Sequence, residues 1–349
     1  MKIAAFIKQH KMFMNGLLFL TVALLTGYTI FHENNIADLI ISVHNVSLPW
    51  LFLCAMAPLI FIGTESLILW ILLKEKDNKT SMVRCLKYSL VGYFYSGITP
   101  SATGGQPFQI YYMKKDGNST AKSTVALLSL ALFYKLIMVF IGAALLLFWS
   151  DEIILFFGGY VWVYYLGFLL NSLVLFVILA LMLMPQKSKV LIDKSLQIMI
   201  KLKLVKENSF HRERIESFME GYKNSVEYLF RNRWKMGILI ILTLIQRTSL
   251  LFIPVFIYMG LPLKDTNLFT ILCIQAAIYV AVDLFPIPGA QGITELIYRS
   301  SYGTIFTANY LTASMIITRS ASFYIIFVTG LVVVLFQSKL IRKGERVGR

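Results

Sequence analysis

The chain is poor in the side chains that build soluble catalytic centres. Its three cysteines, Cys54, Cys85 and Cys273, have neither C-x-x-C spacing nor a neighbouring histidine, which excludes a zinc site or a disulfide framework. The four histidines, His10, His32, His44 and His211, are scattered over termini and loops, so no metal or cofactor is expected. The stretch Gly117–Ser123 imitates a phosphate-binding loop but is one residue too short, with Ala121 where the motif needs glycine before Lys122, and this argues against an ATP site. Acidic residues are scarce, 18 against 33 Lys and Arg, for a net charge of +15. In a membrane protein that excess collects in cytoplasmic loops, so no nucleic-acid partner is expected. Proline is also rare, and four of the nine prolines fall in two short stretches.

Apolar residues are what the chain has in quantity: 57% of the sequence is hydrophobic, with a mean hydropathy of +0.70. The runs Met12–Phe31, Pro49–Leu73, Thr124–Trp149, Val161–Met184, Met236–Gly260 and Leu311–Phe336 reach the ~20 residues that cross a ~30 Å hydrocarbon core. The fold class expected is therefore an all-α polytopic membrane protein, a single membrane domain over 1–349 with no room for a soluble catalytic domain. Lys2, Lys8 and Lys11 before the first run imitate a signal peptide. That run is too long and no small-residue cleavage site follows, so a retained span is expected.

The proline-rich stretches, 98–107 and 285–292, break two further hydrophobic segments, roughly 86–113 and 268–298, in corresponding positions of the two halves. Paired breaks of this kind point to a transporter's substrate site, because backbone groups freed at membrane depth must line a protein-enclosed or watery cavity. Pro100, Pro107, Pro286 and Pro288 are the structural breaks. The loops at 32–48 and 150–160 carry only acids and belong outside, whereas 74–87, 114–123, 185–235 and the tail from Lys339 to Arg349 are basic and belong inside. Parity then makes both broken segments re-entrant hairpins, the first from the cytoplasm and the second from outside. The result is six spanning helices and two opposed hairpins in an inverted repeat, repeat one at 12–149 and repeat two at 161–336, with both termini cytoplasmic. Two ordinary spans with proline kinks are the plainer alternative.

Charges inside the apolar segments are Glu65, Lys135, Arg247, Asp283, Glu295, Arg299 and Arg319, with Gln246 and Gln275 beside them. A central charge costs roughly 2.5–3.5 kcal/mol even on a lenient scale, so an inward-facing role is the default. Lys135 and Arg319 occupy equivalent places after the hairpins, and Glu65 and Arg247 lie in the other equivalent pair of spans. Arg247, Arg319 and Lys135 suit an anionic group such as a lipid phosphate. Helix N-termini near Gly105-Gln106-Pro107 and Gly292-Ile293-Thr294 add anion-binding N–H groups, with Pro107 expected as the first helical residue. The candidate substrate-binding set is completed by Thr99, Gly104, Gly105, Gln106, Gln109, Gly289, Gln291, Gly292 and Thr294. Internal pairing, Glu65 with Arg247 or Asp283 with Arg319, is the alternative for the charges. Glu295 and Arg299 are expected at the outer mouth.

The insert 186–232 places Ile215, Phe218, Met219, Tyr222, Val226, Leu229 and Phe230 at helical spacing. It reads as an amphipathic connector on anionic lipid, or alternatively as a docking surface for a partner enzyme. Aromatics such as Trp50, Tyr160, Trp162 and Trp234 sit at span ends as interface belts.

The stretches ITPSATGGQPFQIYYMKKDG at 98–117 and DLFPIPGAQGITE at 283–295 resemble the two signatures of the lysylphosphatidylglycerol synthase transmembrane family, which includes the membrane half of the multiple peptide resistance factor. The resemblance covers nearly the whole chain. It implies a flippase-like bacterial inner-membrane protein moving phosphatidylglycerol or its lysyl derivative, with a bearing on resistance to cationic peptides. It also places Thr99, Pro100, Gly104, Gly105, Pro107, Pro286, Pro288, Gly289 and Gly292 at a central cavity. The chain ends at Arg349, shortly after the last span, so the soluble lysyltransferase domain of two-part members is not expected here. The expected partner is an anionic membrane lipid, together with a separate lipid-modifying enzyme and a homodimer as further options. Alternatives are a phosphatidylglycerol lysyltransferase, or its membrane subunit, and a glycolipid-pathway scaffold.

Overall fold

A computed structural model describes residues 43–74, 80–184, 190 and 209–347. The expected first span Met12–Phe31, the acids Glu33 and Asp38, and residues 191–208 of the insert lie outside the described residues. Among the described residues all regular structure is helical. Five stretches are long and apolar enough to cross a membrane: Leu48–Leu73, Thr120–Phe148, Ser150–Leu183, Arg233–Gly260 and Tyr310–Gln337. They coincide with five of the six apolar runs.

Helix α1 (Leu48–Leu73) starts at a proline tolerated in its first turn, where no intrahelical donor is needed. After it come α2 (Met82–Gly97), α3 (Gly105–Lys115), α4 (Thr120–Phe148), α5 (Ser150–Phe157) and α6 (Val161–Leu183). The acidic stretch 150–160, expected as a loop, is thus mostly the short helix α5. On α6, Leu169, Leu173 and Phe176 are more than half exposed, an apolar face suited to lipid.

Further along the chain are α7 (Ser209–Arg231), α8 (Arg233–Leu251), α9 (Ile253–Gly260), α10 (Leu268–Val282), α11 (Ile293–Tyr302), α12 (Ala308–Arg319) and α13 (Ile325–Val347). The run expected as one span at Met236–Gly260 is divided between α8 and α9, because Pro254 has no N–H to offer the Leu250 carbonyl. The last run is also divided, by a π-turn at Ser320–Tyr324 directly after Arg319.

The broken segments fold back on themselves. Limbs α2 and α3 run antiparallel: the Gln109 amide donates to the Tyr88 carbonyl at 3.2 Å, and Tyr95 stacks on Phe108 at 3.5 Å. Their approach requires glycine, since a Cβ on Gly105 would lie 2.7 Å from the Gly92 carbonyl oxygen. Limbs α10 and α11 are paired likewise, with the Tyr302 hydroxyl donating to the Ile271 carbonyl at 3.0 Å. The limbs have 16, 11, 15 and 10 residues. At about 1.5 Å per residue, none spans a ~30 Å core.

The two tips share one backbone conformation. Thr99 (φ −119°, ψ 142°) and Ile287 (φ −117°, ψ 136°) are extended; a 3₁₀ turn follows at Pro100–Ala102 and at Pro288–Ala290, with Ser101 (φ 49°, ψ 30°) and Gly289 (φ 62°, ψ 13°) left-handed. Ala102 and Ala290 are also left-handed, at φ 55° and 48°, a conformation that costs a non-glycine residue roughly 1–2 kcal/mol. The tips touch, the Ser101 hydroxyl donating to the Leu284 carbonyl at 3.4 Å.

Among the described residues, buried apolar side chains form two clusters. One gathers Phe61, Met138, Leu250 and most of α9–α11; the other gathers Ile68, Phe133, Leu239 and the apolar face of α7. Met219, Tyr222, Val226 and Leu229 of α7 are buried, and the Tyr222 hydroxyl donates to the Leu181 carbonyl at 3.0 Å. The face expected to meet lipid or a partner is therefore spent on α4 and α6. Glu65, Lys135, Gln246 and Arg247 lie on their helices between residues of one cluster and residues of the other, a polar belt across the bundle.

Candidate functional site

A cavity of about 210 Å³ lies where the two tips meet. Ser96, Gly97, Ser101 and Ala102 line it from the first hairpin, and Asp283, Phe285, Ile287, Gly289, Ala290 and Thr294 from the second. Phe61, Tyr93, Tyr134, Arg247, Tyr279, Arg319, Ser322 and Phe323 close the remaining walls. The site therefore draws on both halves of the chain.

Its cations differ in what they hold. Lys135 is buried and its ammonium donates to Asp283 and to the side-chain Oδ1 of Asn171, the latter at 2.6 Å; Asp283 also accepts from the Tyr134 hydroxyl. Asn171 is fixed in turn by its amide, which donates to the Gly167 and Val280 carbonyls at 2.8 and 3.2 Å. Arg319 donates through Nε to Glu295 at 2.7 Å and through Nη2 to the Gly289 carbonyl at 3.0 Å. Arg247 is different: its guanidinium stacks on Tyr134 at 3.4 Å and lies 5.1 Å from Phe61. Its Nε is buried and meets no hydrogen-bond partner among the described residues, and the residue faces both this cavity and a 40 Å³ extension beside Leu251.

The internal pairs are thus not those expected from sequence. Asp283 holds Lys135, Arg319 holds Glu295, and Glu65 accepts from the Gln246 amide at 3.0 Å. Glu295, expected at the outer mouth, is 6% exposed, and its second oxygen accepts the Gly292 N–H at 2.7 Å. The α11 N-terminus, expected to receive a ligand anion, is met by the chain's own carboxylate. At α3 the Gly104 N–H donates to the Thr99 hydroxyl at 2.9 Å. The helix starts at Gly105, which makes Pro107 its third residue.

Of the sixteen sequence candidates, Arg247, Arg319, Asp283, Gly289 and Thr294 line the cavity. Lys135, Glu295 and Thr99 stand behind it through the bonds above. Gln109 ties limb to limb, Gln106 and Gly292 are exposed, and Gln291 is buried with neither amide atom paired among the described residues. Glu65, Gln246, Gly104 and Gly105 also lie off the lining. Sequence reasoning missed Tyr93, Ser96, Tyr134, Tyr279 and Ser322. The first and last are joined, the Tyr93 hydroxyl donating at 2.7 Å to the Ser322 carbonyl in the π-turn. Tyr93, Ser96 and Tyr279 lie within two turns of a break, whereas the signal for Tyr134 and Ser322 was their closeness along the chain to the membrane charges Lys135 and Arg319.

A family model described as the lysylphosphatidylglycerol synthase TM region matches residues 15–330. The chain belongs to the lysylphosphatidylglycerol synthase transmembrane family. No curated protein sequence matches it. Membership makes this a multi-pass, lipid-related membrane protein, and both resembling stretches, 98–117 and 283–295, fall in the matched region. In this member of the family the first stretch forms its tip and the whole of α3, and the second its tip and the first turn of α11.

Proposed function

We propose that the protein is a flippase-like lipid translocase of the bacterial cell membrane that moves an anionic phospholipid, phosphatidylglycerol or a derivative, with the headgroup phosphate seated against Arg247 between the two tips. The observation that carries this reading is the asymmetry among the cations. Lys135 and Arg319 already face carboxylates, whereas Arg247 stacks on Tyr134 with its Nε unpartnered. A guanidinium kept in low dielectric without a bonded partner is costly, and a phosphate bound bidentately offsets that cost. Six spans and two re-entrant hairpins opposed across the membrane, with both termini cytoplasmic, complete the reading. Support comes from limbs too short to cross and from the charges of the connecting loops.

The test is lipid movement in proteoliposomes made with fluorescent phosphatidylglycerol. Wild type should exceed empty vesicles, Arg247→Ala should lose at least about tenfold of the gain, and Arg247→Lys should keep part of it. Equal rates for wild type and Arg247→Ala would sink the assignment of the site. No gain with any anionic lipid would sink the function.

A further inference from the structure

One buried charge of the polar belt has no part in the site described above. Lys135 faces Asp283 and Arg319 faces Glu295. Among the described residues, Glu65 of α1, 8% exposed, is the buried carboxylate without a bonded cation. The Gln246 Nε2 donates to its Oε2 at 3.0 Å, and the Ser89 hydroxyl, 3.3 Å from that of Ser66, is its other polar neighbour. Arg247 follows Gln246 on α8 and its charge acts on Glu65, but the guanidinium is turned to Tyr134 and not to the carboxylate.

A second observation at the same place points to a proton. The Gln246 Oε1 is buried and meets no donor among the described residues, although the Nε2 of the same amide is satisfied by Glu65. A carboxylate only accepts hydrogen bonds, so it leaves that oxygen unmet; a carboxylic acid carries one O–H, the donor that Gln246 Oε1 lacks. Acid and amide then pair through two hydrogen bonds, and the negative charge leaves the interior. The other ionisable groups near Glu65 on the elements packed against α1 are engaged elsewhere. Tyr134 and Lys135 of α4 both donate to Asp283, Tyr93 of α2 donates to the Ser322 carbonyl, Tyr258 of α9 accepts the Thr266 N–H, and Tyr324 of the π-turn lies by Arg319 and Glu295. The described side chains of α13 include no ionisable group.

We propose that Glu65 and Gln246 form a proton-binding site, and that the protein takes up a proton at Glu65 as an anion seats on Arg247. The anion half of this coupling rests on the reading of Arg247 given above; the proton site does not. Charge sets the direction. With the cavity empty, the Glu65 carboxylate is the negative charge that balances Arg247 across the belt. A phosphodiester on Arg247 takes over that role, and a proton from the aqueous phase binds the free carboxylate oxygen, so the belt keeps the same net charge. The O–H bond is the one bond that forms, and none breaks within the protein. By reciprocity, protonation of Glu65 strengthens anion binding by the same factor. A phosphodiester accompanied by one proton carries no net charge, and its movement is tied to the pH gradient across the membrane.

The test is binding of dioctanoyl phosphatidylglycerol to the full chain in a neutral detergent, read by thermal unfolding over a pH series, together with infrared spectra of the protonated-carboxyl stretch. In wild type the half-saturating concentration should fall at least about fivefold from about pH 8 to about pH 5.5. Glu65→Gln, which keeps the uncharged shape and both hydrogen bonds to Gln246, should bind as wild type does at the acid end and show no pH dependence. The carboxyl band that grows as the pH falls should be missing in that variant. Equal pH dependence in both proteins, or none in wild type, overturns the coupling. A wild type that binds no phosphatidylglycerol at any pH removes the Arg247 reading, and the spectra alone then decide the proton site, which an unchanged band in Glu65→Gln overturns. Should that variant fail to fold, proton release or uptake by wild type in weak buffer decides: uptake on adding the lipid supports the proposal, and no uptake between about pH 5.5 and pH 8 overturns it.

Discussion

In the first hairpin, the N–H of Gly104 at the head of the second limb is met by the neutral Thr99 hydroxyl; in the second, the N–H of Gly292 is met by the Glu295 carboxylate. That one difference propagates outward. A buried carboxylate demands a counter-ion, and Glu295 finds it in Arg319, so the second hairpin is tied to α12. Its first limb ends at Asp283, which is tied to α4 through Lys135. The first hairpin carries an ion pair at the far end, Lys87 with Asp116, and among the described residues its tip is held by neutral contacts. The same tip backbone is thus locked by ions on one side and by neutral hydrogen bonds on the other. The first tip is the cheaper of the two to displace.

The comparison breaks most visibly at the caps. Glu295→Ala should destabilise by about 3–5 kcal/mol, since it strands Arg319 in the interior. Thr99→Val, its counterpart, should cost about 1 kcal/mol. Thermal unfolding of both variants in detergent measures the contrast, and equal losses would refute the ionic lock.

The tip backbones sharpen it next. Gly289→Ala sets a Cβ 2.6 Å from the Phe323 ring at a left-handed φ and should cost roughly 1–3 kcal/mol. Ala102→Gly, in the first tip, relieves a left-handed non-glycine residue at φ 55° without removing a side-chain hydrogen bond and should stabilise by about 0.5–1 kcal/mol. Opposite signs are required; a loss in both would mean that the left-handed backbone of the first tip carries no cost.

The smallest effect is at the base of the first hairpin. Burial works against ionisation of Asp116, but hydrogen bonds from Lys87 and Tyr88 and the charges of Lys87 and Arg84 outweigh it, holding the carboxyl below its ordinary 3.8. A lowered native pKa adds stability above the ordinary value that is lost as pH falls through the native one. The melting-temperature difference between wild type and Asp116→Asn should therefore be constant at neutral pH and shrink below about pH 4. A difference that grows on acidification would show the sign to be wrong.

Much of this was legible without coordinates. The spans follow from apolar length, and the hairpins from Gly and Pro at two corresponding breaks. Arg247, Arg319 and Asp283 stood out because charge in an apolar segment is rare. Who pairs with whom was not legible. Lys135 and Asp283 are 148 residues apart, and no local pattern sets their distance. The repeat symmetry suggested equivalence of Lys135 with Arg319, and both proved to hold carboxylates, but from different elements.

The sequence by itself determined the class of the protein, its apolar spans and the two Gly/Pro breaks that become the hairpin tips, because those depend on solvent transfer and on backbone donors counted residue by residue. Only the tertiary structure decided which of its inward cations are paired with carboxylates. That outcome depends on which carboxylates the packing of α4, α11 and α12 brings within bonding distance, a property of no segment alone.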